Sequence, residues 1–431
     1  MSATTITHVT GRRVWDSRGR PTVEAEVTLA GGAIGRAIAP AGASRGSHEA
    51  IDLRDGDTVD SELAGLGVSL AVQAVQTEIA DSLRGTDAAN QTNVDTTLIA
   101  LDGTPNKARL GGNATIAVSM AVLHATARAA GLPLWRMLSG DNPVRLPLPE
   151  IQIFGGGAHA GRRIDIQDCM VMALGAGSFD EAVLMTAEIY AAAGSLMAKS
   201  DRLAGVADEG GWWPVFDSNE EALEMLVRAI EGAGYIPGDQ VGISLDIAAS
   251  EFGTAAGYTL GLEQRRLDSD GLIEMLLGWI ERYPIVSIED PVAEDDHTGM
   301  ARFTAAVGGS VQIIGDDYLV TNADRIAEAV RHGACNAALI KPNQAGTITE
   351  TKDALDAAKA AGWGTIVSAR SGESEDLTIV HLAIGWDAGQ LKVGSITRSE
   401  RTAKWNEAIR IEDAHGDAAR FAGRSVLPAR I

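Results

Sequence analysis

The first third of the chain has two patterns of apolar and polar positions. Residues 20–40 alternate with a period of two, which is typical of strands with one buried face. Helical periodicity follows over residues 68–83 and again over residues 114–130. The pattern breaks near residue 140, in the segment GDNPVRLPLP, where Gly and Pro mark a change of structure. We therefore predict an N-terminal α+β domain over residues 1–140.

Short apolar runs alternate with amphipathic helical segments over residues 141–431. Ser218 with Glu221, ahead of an apolar run, has the pattern of a capped helix, and Thr321 with Asp324 has the same pattern. Sustained alternation of strands and helices predicts a parallel sheet, and a sheet of this length closes into a barrel. The predicted fold class is α/β, an (α/β)8 barrel with the α+β domain as a cap.

Charged residues stand where the apolar runs of the second domain end. In such a barrel the carboxyl ends of the strands meet at one mouth, where these enzymes hold their catalytic groups. A single charge there often only begins an exposed loop, but a succession of them indicates a shared site. The charges that end successive runs are Asp246, Glu289 and Asp290, Asp316 and Asp317, Lys341, Arg370 and Lys392.

These residue types indicate metal-assisted proton transfer. Asp246, Glu289 and Asp316 offer the hard oxygen ligands that Mg²⁺ prefers. Lys341 can act as a base if its pKa is held near the working pH. Removing a proton beside a carboxylate creates a dianion, and a lysine base with one or two Mg²⁺ ions is suited to that chemistry. We therefore predict a Mg²⁺-dependent enzyme.

The charge of the chain narrows its expected partners. The 431 residues include 36 Lys and Arg against 58 Asp and Glu, a formal net charge of −22. Such a protein repels phosphate backbones, so we expect neither nucleic acid nor an anionic membrane as a partner. The two cysteines are too few for a disulfide framework, and the first residues have no apolar signal segment. We expect a cytoplasmic protein.

Ten segments resemble the enolase family, in the same order along the chain. They are GRRVWDSRGRPTVEAEV, AGASRGSHEAIDLRDGD, LDGTPNKARLGGNA, VADEGGWWP, LDIAASEF, SIEDPVAEDD, GDDYLVTN, LIKPNQAGTITET, SARSGESED and QLKVGSITRSERTAKWNEAIRIE. We identify the chain as a member of this family. The resemblance implies an enolase-type barrel with a capping domain, a lyase that uses Mg²⁺, and an anionic phosphorylated or phosphonylated substrate. It also implies a homodimer or a higher homo-oligomer.

The resemblance implies how the metal and the carboxylate of the substrate are held. Asp246, Glu289 and Asp316 would bind the first Mg²⁺. Ser44, on a mobile loop, would contribute to a second Mg²⁺ together with the substrate phosphate. Lys392 would pair with the substrate carboxylate.

The resemblance also implies catalytic roles. Lys341 would remove the proton from carbon 2, and Glu209 would help the hydroxyl on carbon 3 to leave as water. His159, in GGGAHAGRR, would lie close to the reacting end of the substrate. Arg370 and Ser371 would hold the phosphate.

Several positions near this site depart from the family pattern. The family motif Gln-Glu-Phe is here Gln167, Asp168 and Cys169, so the carboxylate beside the leaving group is one methylene shorter. Ala369 replaces the histidine beside the phosphate, within Ser-His-Arg-Ser-Gly-Glu. In the mobile loop, Arg45 replaces a threonine.

These departures lead to three hypotheses. The first is a changed substrate, because Ala369 opens space and Arg45 adds a cation that can hold a carboxylate. Carboxyphosphonoenolpyruvate synthase, a family member of phosphonate antibiotic biosynthesis, has such a substrate and would take a phosphonoformyl unit from a cytidine-nucleotide-activated donor. We predict that function. The second hypothesis is phosphopyruvate hydratase, with Asp168 acting through a water. The third is a catalytically inactive enolase-like binding protein.

Overall fold

An antiparallel meander and a group of helices precede the barrel. The computed structural model describes residues 2–56, 62–254 and 256–429. The three strands of the meander pair in chain order, and the long fourth helix packs across the second and third of them. The elements of this part are β1 (Ile6–Trp15), β2 (Pro21–Leu29), β3 (Ile34–Ile38), α1 (Ser69–Ala74), a π-helical turn (Val75–Ile79), α2 (Ala80–Leu83), α3 (Gln91–Asp102), α4 (Gly112–Ala129) and α5 (Leu134–Ser139).

Strands and helices alternate through the rest of the described chain. The strands are β4 (Arg145–Leu146), β5 (Leu148–Gly155), β6 (Asp168–Ala173), β7 (Leu203–Val206), β8 (Trp212–Pro214), β9 (Val241–Asp246), β10 (Gly253–Thr254), β11 (Gly257–Leu260), β12 (Arg265–Leu267), β13 (Ile285–Glu289), β14 (Gln312–Gly315), β15 (Ala337–Ile340), β16 (Gly364–Ser368), β17 (Gly389–Gly394) and β18 (Arg420–Phe421). The helices are α6 (Phe179–Lys199), α7 (Asn219–Gly232), α8 (Ser269–Arg282), α9 (His297–Val307), α10 (Ala323–His332), α11 (Pro342–Ala345), α12 (Ile348–Ala360), α13 (Thr378–Gly385) and α14 (Ser399–His415).

Eight of these strands close into the predicted barrel. Their order is β5, β6, β9, β13, β14, β15, β16 and β17, and β17 pairs with β5 to complete the ring. The hairpin of β7 and β8 extends the sheet beside β5. A continuous apolar core runs through both parts of the chain, because α4 is buried along most of its length between the meander and the barrel.

The prediction of a parallel sheet is wrong for one strand. β6 runs antiparallel to both of its neighbours, β5 and β9, whereas the other pairings around the ring are parallel. The link between β5 and β6 contains a short 3₁₀ turn, Gly157–Ala160, in place of a crossover helix. A parallel return is usually made by a crossover helix, which this link lacks, and the chain reverses at the same mouth. Asp168, at the start of β6, therefore lies beside Asp246, at the end of β9.

One of the two predicted helix caps is confirmed. The Ser218 side chain accepts a hydrogen bond from the backbone of Glu221 and begins α7. The prediction for Thr321 is wrong by one residue, because Asn322 caps α10. The Thr321 hydroxyl instead accepts the backbone N–H of Lys341 at 2.9 Å and so supports the site.

None of the described helices is both long enough and apolar enough to span a membrane.

Candidate active site

A narrow cavity opens at the mouth of the barrel and collects most of the predicted site residues. Glu289 and Asp316 stand at its edge and contact its two lysines. The predicted residues that line the cavity are Ser44, His159, Asp168, Glu209, Asp246, Lys341, Ala369, Arg370, Ser371 and Lys392.

Lys392 lies among three carboxylates from different strands. Its Nζ donates to Glu289 Oε2 at 2.7 Å and to Asp246 Oδ2 at 3.0 Å, and Asp168 Oδ2 is 3.7 Å away. All of these groups are buried. Burial opposes the charge, but the three carboxylates outweigh it and raise the pKa of Lys392 well above its ordinary value. Lys392 is therefore a fixed cation at neutral pH, suited to pairing with an anionic substrate.

Lys341 has a separate carboxylate partner. It follows β15 directly, and its Nζ donates to Asp316 Oδ2. Burial lowers the pKa of Lys341, but the charge of Asp316 outweighs burial and raises it. In the ring of strands, β15 lies across the barrel from β6. The Lys341 side chain therefore enters the cavity from the side opposite to Asp168 and His159.

The carboxylates at the ends of β9, β13 and β14 fit a hard divalent cation. Glu289 Oε1 is buried and has no hydrogen-bond partner among the described residues. Burial, and then the charge of Asp246, raise the pKa of Glu289 well above its ordinary value, so Lys392 compensates its charged form only in part. Together with Asp316 these side chains offer oxygen donors alone, which is the donor set that Mg²⁺ prefers.

Asp290 holds the backbone of Asp316, the third predicted metal ligand. Its carboxylate accepts the N–H groups of Asp316 at 2.9 Å and of Asp317 at 2.8 Å. Asp290 has a positive φ of 40°, an uncommon backbone conformation for a residue other than glycine. Such strain is found most often at functional sites.

His159 bridges two carboxylates on the other wall of the cavity. Its Nδ1 is 3.2 Å from Asp168 Oδ1, and its Nε2 is 3.7 Å from Glu209 Oε1. Burial opposes protonation, but Glu209 and Asp168 outweigh it and raise the pKa of His159 to about 9. The same contact keeps the pKa of Asp168 below its ordinary value, although burial acts the other way. His159 is thus an imidazolium at neutral pH.

Backbone hydrogen bonds fix the positions of the turns that carry His159 and Glu209. The backbone N–H of Asp208 donates to the His159 carbonyl at 3.1 Å, which ties the turn carrying Glu209 to the turn carrying His159. The Glu209 carbonyl accepts the N–H of Ser395 at 2.9 Å, just beyond β17. The two turns and the end of β17 therefore form one hydrogen-bonded unit.

Arg370 joins the barrel to the loop of the N-terminal domain. Its Nη2 donates to the Ser44 carbonyl at 2.9 Å, and its Nη1 donates to Glu49 Oε2 at 2.9 Å. Glycine is needed at position 42, because a Cβ there would lie 2.0 Å from Arg370 Nη2. Ser371 Oγ accepts a hydrogen bond from Arg18 Nη1 at 3.2 Å.

Arg45 does not reach the cavity, so its predicted contact with the substrate is not supported by the structure. Its side chain is exposed. Hydrogen bonds on either side of Arg45 fix the backbone of the loop. The Ser44 carbonyl accepts from Arg370, and the Gly46 N–H donates to Glu49 at 3.0 Å.

The sequence pattern missed three buried residues that organise the site. Glu49 carried no signal, since it is far from Arg370 in the chain. Gln152 lies inside β5 and looks like an isolated polar residue in a strand. Gln167 stands in the motif beside Asp168, and its Nε2 donates to Asp246 Oδ2 at 3.1 Å, so its position next to a site residue was the available signal.

The comparisons with known proteins agree with the barrel. The fold is a TIM barrel whose mouth collects lysines and carboxylates suited to a Mg²⁺-dependent lyase. A family described as the enolase N-terminal domain matches residues 6–138, and one described as the enolase C-terminal TIM barrel domain matches residues 143–429. The chain belongs to the enolase family. Enolase 1 of Desulfitobacterium hafniense (strain Y51) is 48% identical, with 98% of this chain and 97% of that protein covered.

The prediction of carboxyphosphonoenolpyruvate synthase is wrong. The relative that matches at 48% identity over almost the whole chain is named Enolase 1. The interpretation gave too much weight to the departures from the family pattern. Arg45 lies outside the cavity, and the shorter Asp168 still presents its carboxylate to His159 and Lys392. Nothing then supports a nucleotide-activated donor, phosphonoformyl transfer or a role in phosphonate antibiotic biosynthesis.

Proposed function

We propose that this chain is a phosphopyruvate hydratase, which interconverts 2-phosphoglycerate and phosphoenolpyruvate plus water. The observation that carries the proposal is that Lys341 and Glu209 line the same buried cavity beside carboxylates suited to Mg²⁺. A base and a leaving-group residue around one cavity are what a dehydration requires. The name and the full-length similarity of the Desulfitobacterium relative favour the same reaction.

The anionic substrate is held by buried cations at its two ends. Lys392 pairs with the carboxylate, and Arg370 with Ser371 holds the phosphate. Asp246, Glu289 and Asp316 would hold Mg²⁺, which would supply positive charge to stabilise the dianion formed at the substrate carboxylate.

The chain moves two protons in the proposed reaction. Positive charge bound at Asp316 would lower the pKa of Lys341, and the neutral Nζ then takes the proton from carbon 2. The electron pair left there passes onto the substrate carboxylate and then forms the double bond to carbon 3 as the carbon–oxygen bond breaks. The departing hydroxyl takes a proton from Glu209 and leaves as water. Glu209 receives this proton beforehand from the His159 imidazolium, 3.7 Å from Glu209 Oε1. In the reverse reaction each group plays the opposite part.

The loss of the family's histidine at Ala369 is compatible with this reaction. Ala369 lies on the cavity wall with its backbone bound to the Lys392 carbonyl at 2.9 Å. The phosphate end retains Arg370 and Ser371, and Arg18 adds a cation that contacts Ser371. We propose that these groups suffice to bind the phosphate. A homodimer and a cytoplasmic location remain predictions.

Phosphorus NMR tests the reaction itself. Purified protein with Mg²⁺ should convert 2-phosphoglycerate to phosphoenolpyruvate, and the same final ratio should be reached from phosphoenolpyruvate. Lys341→Ala should show no conversion, whereas Lys352→Ala, which removes a lysine on the exposed face of α12, should behave as wild type. A wild-type protein that leaves both compounds unchanged would overturn the proposal.

A further inference from the structure

Gln152 contacts both Asp168, at the start of β6, and the turn that carries Glu209. It lies on β5 and is fully buried. Its Nε2 donates to Asp168 Oδ1 in a short contact, and its Oε1 accepts the backbone N–H of Gly211 at 2.8 Å. Gly211 stands two residues beyond Glu209. One amide thus holds both the carboxylate of Asp168 and the turn that carries Glu209.

The amide has little room to move. A Cβ at Gly211 would lie 2.4 Å from Gln152 Oε1, so glycine is needed there for the backbone to approach. Asp168 Oδ1 also faces His159 Nδ1 at 3.2 Å, which leaves Oδ2 directed to Lys392 at 3.7 Å. The orientation of the Asp168 carboxylate therefore depends on where the Gln152 amide ends.

We propose that Gln152 is a positioning residue that sets how far the Asp168 carboxylate extends, so that a long amide on β5 compensates for a short carboxylate on β6. The two side chains already touch, so a glutamate at position 168 fits only if the amide at position 152 is shortened by a methylene. The inference rests on the proposed function, because it concerns the leaving-group end of 2-phosphoglycerate.

A cycle of length changes tests the compensation. Gln152→Asn and Asp168→Glu should each lower kcat for 2-phosphoglycerate by about a hundredfold, since a displacement of about 1 Å at a catalytic group has an effect of that order. KM should change little, because neither residue binds the carboxylate or phosphate end. The double variant Gln152→Asn/Asp168→Glu should regain about tenfold in kcat over Asp168→Glu, a non-additive result expected of side chains in contact.

Two further variants separate positioning from general packing. Gln152→Glu keeps the acceptor for Gly211 and the shape of the side chain but loses the donor to Asp168, and it should lower kcat while the protein still folds. Gln312→Asn shortens another buried barrel amide, which bonds Gln390 and Ser287 away from the cavity. It should lower the melting temperature and leave kcat unchanged.

Additive losses in the double variant, or a Gln152→Glu protein with wild-type kcat, would overturn the inference. A wild-type protein without activity on 2-phosphoglycerate would instead overturn the proposed function. The compensation would then be read from melting temperatures, where the double variant should recover stability that Asp168→Glu loses. Additive melting temperatures would contradict it.

Discussion

The two lysines at the mouth of the barrel are both paired with buried carboxylates. Lys392 donates hydrogen bonds to Glu289 and Asp246, and Lys341 donates one to Asp316. Removing one member of a buried pair leaves the other charge uncompensated, which is far more costly than losing an exposed pair. Substitutions at this mouth should therefore alter stability together with catalysis, and a stability measurement is needed beside every rate.

A buried histidine far from the mouth presents the opposite situation, since it is held neutral. His381, on α13, faces His124 of α4, Glu407 of α14 and Asp376. Burial and then His124 outweigh the two carboxylates and lower the pKa of His381 to about 4. Its Nδ1 has no hydrogen-bond partner among the described residues.

We predict that mild acidification destabilises the protein through His381. An unfolded histidine has a pKa of about 6.5, so between that pH and about 4 the unfolded state binds more protons than the folded state. The free energy of unfolding keeps its full value above about pH 6.5 and decreases at lower pH, by about 2 kcal/mol at about pH 5. Urea unfolding of wild type and His381→Gln at both ends of this range measures the difference.

His381→Gln should lose less stability on acidification than wild type. His8→Gln, which removes an exposed histidine on β1, is the control and should follow wild type. The same pH dependence in all three proteins would contradict the assignment to His381.

At the scale of elements, the ends of the strands and one reversed strand create the site. Asp246 and Glu289 are register partners at the ends of neighbouring strands, and Ser368 is likewise paired with Lys392. β6 contributes its first residue where its neighbours contribute their last, because it runs the other way. The link from β5 to β6 therefore has no crossover helix, and its short 3₁₀ turn carries His159 to the cavity.

The start of α10 allows a prediction that separates a capping residue from a residue that supports Lys341. Asn322→Ala should lower the free energy of unfolding by about 1 kcal/mol, since it removes the side-chain acceptor at the start of α10. It should leave kcat unchanged. Thr321→Val keeps its shape but loses the bonds to the Lys341 N–H and to Gln344, and it should lower kcat by about tenfold through displacement of Lys341.

Denaturant unfolding and steady-state kinetics of both variants separate the two effects. Equal losses of kcat in Asn322→Ala and Thr321→Val would show that the start of α10 acts as one unit. The division between a capping residue and a residue that supports Lys341 would then be wrong.

Much of the barrel could be predicted from the sequence, because the charges that end its apolar runs mark where successive strands stop. The reversal of β6 could not, because alternation and apolar content are the same in either strand direction. Thr321 and Asn322 are both good capping residues, and the choice between them depends on the distant backbone of Lys341. Motif resemblance supplied Glu209 and His159, whose positions in turns have no periodic signal.

The remaining parts of the site depend on side chains that are distant in sequence. Gln152 meets Asp168 across neighbouring strands, and Glu49 meets Arg370 from the other domain. Neither contact is encoded in local pattern. Arg45 was overvalued for the complementary reason: its charge was visible in the sequence, but the direction of its side chain was not.

At the scale of the whole molecule, the N-terminal domain completes the cavity of the barrel. Its loop reaches Arg370 through Glu49 and the Ser44 carbonyl. A second ion pair between the domains joins Lys107 to Glu350, near the start of α12 and outside the cavity lining. The two pairs offer a matched test of whether the domain contact affects substrate binding or stability alone.

We predict that Glu49→Gln raises KM for 2-phosphoglycerate by about tenfold, equivalent to about 1.4 kcal/mol. The amide cannot hold the Arg370 guanidinium and the Gly46 N–H as the carboxylate does, so the loop with Ser44 loses its position. Glu350→Gln should lower the melting temperature without changing KM. An unchanged or lower KM in Glu49→Gln would show that Glu49 only neutralises Arg370.

The most direct test of the account is the rate at which wild-type protein forms the double bond of phosphoenolpyruvate from 2-phosphoglycerate, followed by ultraviolet absorbance as Mg²⁺ is removed and restored. We predict a saturable rate that disappears with a chelator, returns with added Mg²⁺, and is absent from Lys341→Ala at every Mg²⁺ concentration. A rate that is independent of Mg²⁺, or that survives the loss of Lys341, would contradict the assignment of this barrel mouth as the dehydration site.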